Sequence, residues 1–75
     1  MKLTGHEIYC IGAHILENTT RAFYSSVSGG NIENRPEVAI KELDRIIAEF
    51  ERYKNIIIEY MQSNGEVSIQ KEKPD

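Results

Sequence analysis

Residues 39–60 read AIKELDRIIAEFERYKNIIIEY. Within this stretch Ala39, Leu43, Ile46, Phe50, Tyr53, Ile57 and Tyr60 alternate by four and three without a break, which is a heptad seam over about three repeats. Ile40, Ile47 and Met61 lie beside the seam and widen it to the three-in-seven stripe of a bundle helix. Lys41, Asp44, Arg45, Glu51, Arg52 and Asn55 fall on the outer face and read as solvated, with Glu37 and Lys41 spaced for an i,i+4 contact. The stretch is therefore an amphipathic helix that needs at least one other helix to cover it.

Working outward, Asn34-Arg35-Pro36-Glu37 marks its start. Pro36 suits the first helical turn, where its missing N–H is not needed, and Asn34 with Glu37 has capping-box spacing. Asn64-Gly65 stops it, giving a helix over about 36–63. Upstream, Thr4 and Glu7 form a second capping-box pattern, and helical apolar spacing continues from there to about Ser28. Ser28-Gly29-Gly30-Asn31 reads as a strong stop, because paired glycines tolerate the left-handed conformation that ends helices. The expected fold is all-α: residues 1–65 make an antiparallel two-helix hairpin, with helices over about 5–28 and 36–63. Residues 66–75 are polar and read as a flexible tail, although Val67 and Ile69 offer a short strand as an alternative.

The first helix has a different character. Its seam is Ile8, Gly12, Ile15, Thr19, Ala22 and Ser26, and small residues recur every seven at Gly5, Gly12, Thr19 and Ser26. Tyr9, Leu16 and Phe23 repeat with the same spacing, one step around. Glycine within a helix costs about 1 kcal/mol relative to alanine. Gly12 is therefore expected to admit another helix backbone, with Tyr9, Leu16 and Phe23 reaching past it; a tolerated glycine on an ordinary amphipathic helix is the alternative.

A chain of 75 residues buries too little surface to be stable without a staple. A single cysteine, Cys10, excludes an intrachain disulfide and fits a reducing cytoplasm. The apolar arcs on both helices exceed what one partner helix can cover, so a homo-oligomeric helical bundle is expected. Two hairpins forming a four-helix bundle is the default, and three or more around an axis is the alternative. Its interface is expected to draw on Ile8, Tyr9, Gly12, Ile15, Leu16, Thr19 and Phe23 of the first helix. The second helix is expected to add Leu43, Ile46, Phe50, Tyr53 and Ile57.

Nine basic against twelve acidic residues give a net charge of −3 with no basic stripe, which argues against long nucleic acid as a partner. The longest apolar runs, such as Ile56-Ile57-Ile58, are far too short to cross a membrane, and no secretion signal is visible.

Three groups could carry chemistry. His6, Cys10 and His14 are spaced four apart on one side of the first helix, with Glu17 a turn further. Three ligands over two turns span about 12 Å of helix axis, too far for one ion to contact all three, so they are read as two solvated histidines and a cysteine at the core edge and neither metal nor cofactor is expected; a metal-dependent bundle, its site completed by a second chain, is the alternative. Cys10 between two histidines, and acid pairs such as Glu49 with Glu51, lack a water-excluding pocket, so no catalytic residue and no enzyme activity is expected. The aromatic residues are more suggestive. Tyr24 lies a turn from Arg21, and Tyr9 is a further aromatic on the same helix. A guanidinium beside an aromatic face suits a stacked, phosphate-bearing ligand. Asn34 and Arg35 add the start of a helix, which favours anions.

The hairpin resembles the helical hairpins of phage proteins that sequester cyclic nucleotide immune signals, the anti-CBASS and anti-Thoeris sponges. The likeness lies in Asn34-Arg35-Pro36-Glu37, then Ala39-Ile40, Leu43 and Ile46-Ile47-Ala48, about a third of the chain. It implies an assembly larger than a dimer, with ligand pockets at the seams between protomers. Pro36 and the absence of tryptophan from the second helix depart from the pattern, and no ligand residue is carried over. The expected function is a non-catalytic cytoplasmic protein that captures a small anionic ligand, such as a cyclic nucleotide, at protomer interfaces. A protein–protein adaptor or inhibitor that docks a host partner through its apolar face is the alternative.

Overall fold

The computed structural model describes residues 1–67, and every described element is helical apart from one isolated backbone bridge. The first helix, α1, spans Gly5–Ser26. Its capping box forms as the sequence predicts. The Glu7 amide donates to Thr4 Oγ1 at 3.1 Å, and the Thr4 amide donates to the Glu7 carboxylate at 2.8 Å. The long helix expected from residue 36 is α3, Pro36–Gln62, about 40 Å long at 1.5 Å per residue.

Between them lies a short helix that the sequence reading missed. Helix α2 spans Gly29–Asn34, so the connection is a helical turn instead of an irregular loop. Ser28 does not help stop α1; it caps α2, accepting from the Asn31 amide at 3.1 Å. Neither Gly29 nor Gly30 takes a positive φ. Helix α1 therefore ends two residues earlier than expected, and Asn31 ties the two ends together by donating to the Ser26 carbonyl at 2.9 Å. The second expected capping box does not form. Asn34 donates back to the Gly30 carbonyl at 3.0 Å, the N-cap of α3 is Arg35 without a side-chain cap bond, and Pro36 opens the helix.

At the far end the Asn64-Gly65 stop is realised by positive φ at both residues, 52° and 94°. The chain does not then leave as a tail. Val67 pairs with Met1 through Val67 N to Met1 O at 2.7 Å, and the Leu3 amide donates to the Gly65 carbonyl at 2.8 Å. Lys2 and Glu66 form an antiparallel bridge, and Val67 is only 1% exposed. Val67 packs with Ile8 and Ile56, flanked by Leu3, Tyr53 and Tyr60, and so plugs the open end of the hairpin. The tail expected over 66–75 therefore cannot begin before residue 68; its remainder, Ile69 included, lies outside the described residues.

The seam between α1 and α3 is built from the small column. A Cβ placed on Gly12 would lie 2.3 Å from Tyr53 Cζ, and one on Gly5 would lie 3.8 Å from Tyr60 Oη. The Tyr53 ring lies over Gly12, and its hydroxyl donates to the Ile8 carbonyl at 3.0 Å. Gly12 thus admits a side chain of its own hairpin, where the sequence reading expected a neighbouring backbone. Around this contact Ile8, Ile15 and Thr19 of α1 and Ala39, Ile46 and Ile56 of α3 are buried. The buried Thr19 hydroxyl is satisfied locally by the Ile15 carbonyl at 2.8 Å. Ile56 takes the place expected for Ile57. Val67 folds back over Ile56 beside Ile8, so the burial of Ile56 comes from the chain beyond Gly65. Among the described residues, no helix is long and apolar enough to cross a membrane.

Candidate functional site: an apolar flank of the hairpin

Covering the seam leaves one side of the hairpin uncovered. On α1 the column Tyr9, Leu16 and Phe23 faces outward, and on α3 Ile40, Ile47, Phe50 and Ile57 do the same. These seven side chains are between 39% and 66% exposed. At about 200 Å² for a fully exposed large side chain they leave roughly 700 Å² of apolar surface wet. The largest patch on an ordinary monomer is about 300–600 Å². One face of a standard protein interface is about 800 Å². The flank therefore has the size of an interface.

Its relief is not flat. A groove of about 280 Å³ runs between Leu16, Thr19, Thr20, Phe23 and Tyr24 of α1 and Ile46 and Phe50 of α3. A second, of about 270 Å³, is lined by Tyr9, Gly12, Ala13, Leu16, Phe50 and Tyr53. Leu16 and Phe50 bound both grooves and so form the ridge between them. Phe23 and Tyr24 stand edge to face with ring centroids 5.7 Å apart, which stiffens one wall of the first groove.

The opposite flank is polar. A cleft of about 270 Å³ is lined there by His14, Asn18, Arg45, Glu49 and Arg52, with Ile15 and Thr19 at its floor. Arg45 pairs with Glu42 and Arg52 with Glu49, each one turn apart and the two pairs seven residues apart. The Glu42 carboxylate pushes the Arg45 guanidinium further above its ordinary pKa, chiefly through their hydrogen bond. Reading Arg45 and Arg52 as merely solvated missed this cleft. The visible signal was the repeat of Glu42/Arg45 as Glu49/Arg52.

The five residues expected to hold an anionic ligand do not meet within one chain. Tyr9 lies near the open end of the hairpin, about 25 Å along α1 from Ser26. Tyr24 lines the first groove. Arg21 is 3.9 Å from Glu17 in an exposed ion pair. Asn34 and Arg35 both brace α2, Arg35 by donating to the Asn31 side chain at 2.9 Å. Of the residues expected at the oligomer interface, Ile8, Ile15, Thr19 and Ile46 are buried within the hairpin, Thr19 and Ile46 at the floor of the first groove. Gly12, Leu43 and Tyr53 are half-buried, whereas Tyr9, Leu16, Phe23, Phe50 and Ile57 remain open.

Cys10 Sγ lies 3.5 Å from His6 Nε2, one turn away on the exposed surface. Among the described residues no group of three or more His, Cys, Asp or Glu is placed to hold a metal ion. No family model matches the sequence, and no curated protein or solved structure is significantly similar to it.

Proposed function

We propose that this chain is a non-catalytic binding protein that works as a homo-oligomeric helical bundle, its apolar flank covered by other copies. The observation that carries the reading is the imbalance of burial. Among the described residues six apolar side chains are buried, while twelve large ones are exposed, seven of them together on one flank. Covering roughly 700 Å² of apolar surface per chain favours association at about 25 cal/mol per Å² gross, against a cost of about 4–15 kcal/mol plus the ordering of the side chains at the contact. Oxidative footprinting of the purified protein tests it. Tyr9, Phe23 and Phe50 should react far more slowly than their exposure in the lone hairpin allows. Oxidation at the rate of freely exposed rings ends the reading.

What such a bundle binds is a small anionic ligand held where chains meet. The groove beside Tyr9, a tyrosine that the sequence singled out, supports this reading, as does its volume near the lower end for small-molecule sites. Because Tyr9 lies near the open end of the hairpin, far along α1 from Arg21 and Tyr24, a nucleotide-sized ligand that meets both tyrosines takes them from more than one copy. Calorimetry against cyclic di- and trinucleotides and cyclic ADP-ribose isomers decides the ligand class, and silence across that panel removes it. The flank's interface-sized area also favours a second reading, in which it docks a helical surface of a different protein.

A further inference from the structure

We infer that the apolar flank is covered by one second copy of this chain, with the Leu16–Phe50 ridge of each copy seated in a groove of the other. This docking rests on the flank being where chains meet, as proposed above, and adds the number of chains and their orientation. The area argues for a single occupant. Roughly 700 Å² per chain is close to the ~800 Å² that each partner contributes to a stable complex of standard size, so one copy uses the flank up.

The number also follows from the polarity of the two flanks. Head-to-tail rings and filaments need two different adhesive surfaces on each chain. Among the described residues this hairpin has one such apolar flank, because the other carries the Glu42–Arg45 and Glu49–Arg52 pairs. A flank that meets its own copy closes at two chains, short of the larger assembly implied by the sponge resemblance.

Orientation comes from the relief. The groove of about 280 Å³ is nearly twice a 150 Å³ cavity that accepts a benzene ring, so it can take the Phe50 ring with Leu16 beside it. A two-fold axis along the helices would set ridge on ridge. A two-fold across the helices, placed between ridge and groove, sets each ridge over a groove, stacking α1 antiparallel on the other α1 and α3 on the other α3.

Analytical ultracentrifugation of the full chain over a range of concentrations tests this, with Leu16→Glu and Ile47→Glu alongside. Both side chains are more than half exposed in the hairpin, so both variants should keep wild-type helicity by circular dichroism. The wild type should sediment at twice the 8.6 kDa chain mass. Each variant should raise the dissociation constant at least about 100-fold, because it places an unpaired carboxylate in the contact. A trimer or larger assembly that the variants take apart overturns the pairing of two copies while leaving the flank as the place of assembly. A wild-type monomer, or an oligomer that neither variant disturbs, overturns both. In mixed-label samples, isotope-filtered NOEs should join the Leu16 methyls to the Thr20 or Ala13 methyls of the other copy. Leu16 contacts confined to Leu16 and Phe50 of the other copy overturn the ridge-in-groove docking.

Discussion

Replacing Gly12 by alanine is the sharpest test of the hairpin seam. On an ordinary exposed helix Gly→Ala stabilises by about 1 kcal/mol, because glycine loses more backbone freedom on folding. Here the new methyl would lie 2.3 Å from both Cζ and Oη of Tyr53 and 2.7 Å from Cε2, well inside van der Waals contact. The ring is rigid, half-buried and fixed by its hydroxyl on the Ile8 carbonyl, so it must move as a unit. Losing that hydrogen bond costs about 1 kcal/mol, and crowding a packed side chain costs about 1–3 kcal/mol. After the helix gain is subtracted, Gly12→Ala should destabilise by about 1–3 kcal/mol. The assay is urea unfolding followed by circular dichroism at one fixed protein concentration, since assembly contributes to apparent stability. In a Tyr53→Ala background the clash is gone, and the same Gly12→Ala change should stabilise by up to about 1 kcal/mol. A change of sign across the cycle, with a coupling of about 2–4 kcal/mol, is the expected result. If Gly12→Ala stabilises the wild-type chain, the ring does not lie over Gly12 and the seam described here is wrong.

Other positions give independent checks. Ser28→Ala removes the cap of α2 and should cost about 1 kcal/mol in the same assay, whereas a structureless glycine loop would leave stability unchanged. Val67→Ala should cost about 2 kcal/mol through lost transfer energy and a cavity beside Ile8 and Ile56; no loss would mean that the chain beyond Gly65 is not docked. The Met1 ammonium, 2.6 Å from Glu66, holds that carboxyl below its ordinary 4.5, chiefly by the hydrogen bond. The folded pKa is depressed, so the clasp is at full strength above the ordinary carboxylate range and weakens as pH falls through the lowered value. NMR titration of the Glu66 side chain should show that displacement, and an ordinary titration would mean the clasp is open in solution.

The helices were legible because their signals are local. Thr4 and Glu7 are three residues apart, Pro36 can sit only near a helix start, and the α3 stripe repeats for nearly the whole of that helix. What escaped the sequence depends on choices between competing local partners or on distant contacts. Ser28 could end one helix or begin another, and the answer turns on the Asn31 amide that it captures. Asn34 had two roles open to it and took the backward bond to Gly30. Val67 reads as part of a polar tail until Met1 and Ile8 are brought beside it, sixty or so residues away in the chain. The candidate site was legible in its residues but not in its partition. The apolar arc was visible on both helices, and only the packed hairpin shows which part is spent inside and which remains for another molecule.

That partition follows from the register of the small column. Gly5 faces Tyr60, Gly12 faces Tyr53, and Thr19 shares a groove with Ile46, so one heptad column of α1 is matched to one of α3 along most of their length. By the same spacing the match extends toward Ser26 and Ala39. Small residues opposite large ones draw the helices together on that column, as alternating sizes do in any close-packed seam. Once it is taken as the centre, the column Leu43, Phe50 and Ile57 falls to one side of α3, and Glu42 and Glu49 fall to the other. The adhesive flank and the charged flank are therefore both consequences of where α1 is small. A chain with leucine at Gly12 and Thr19 would have to rotate its helices to pack, burying part of the apolar flank within itself. The small column thus decides the fold of one chain and leaves over the surface by which chains meet, so lesions at Gly12 should weaken assembly as well as stability.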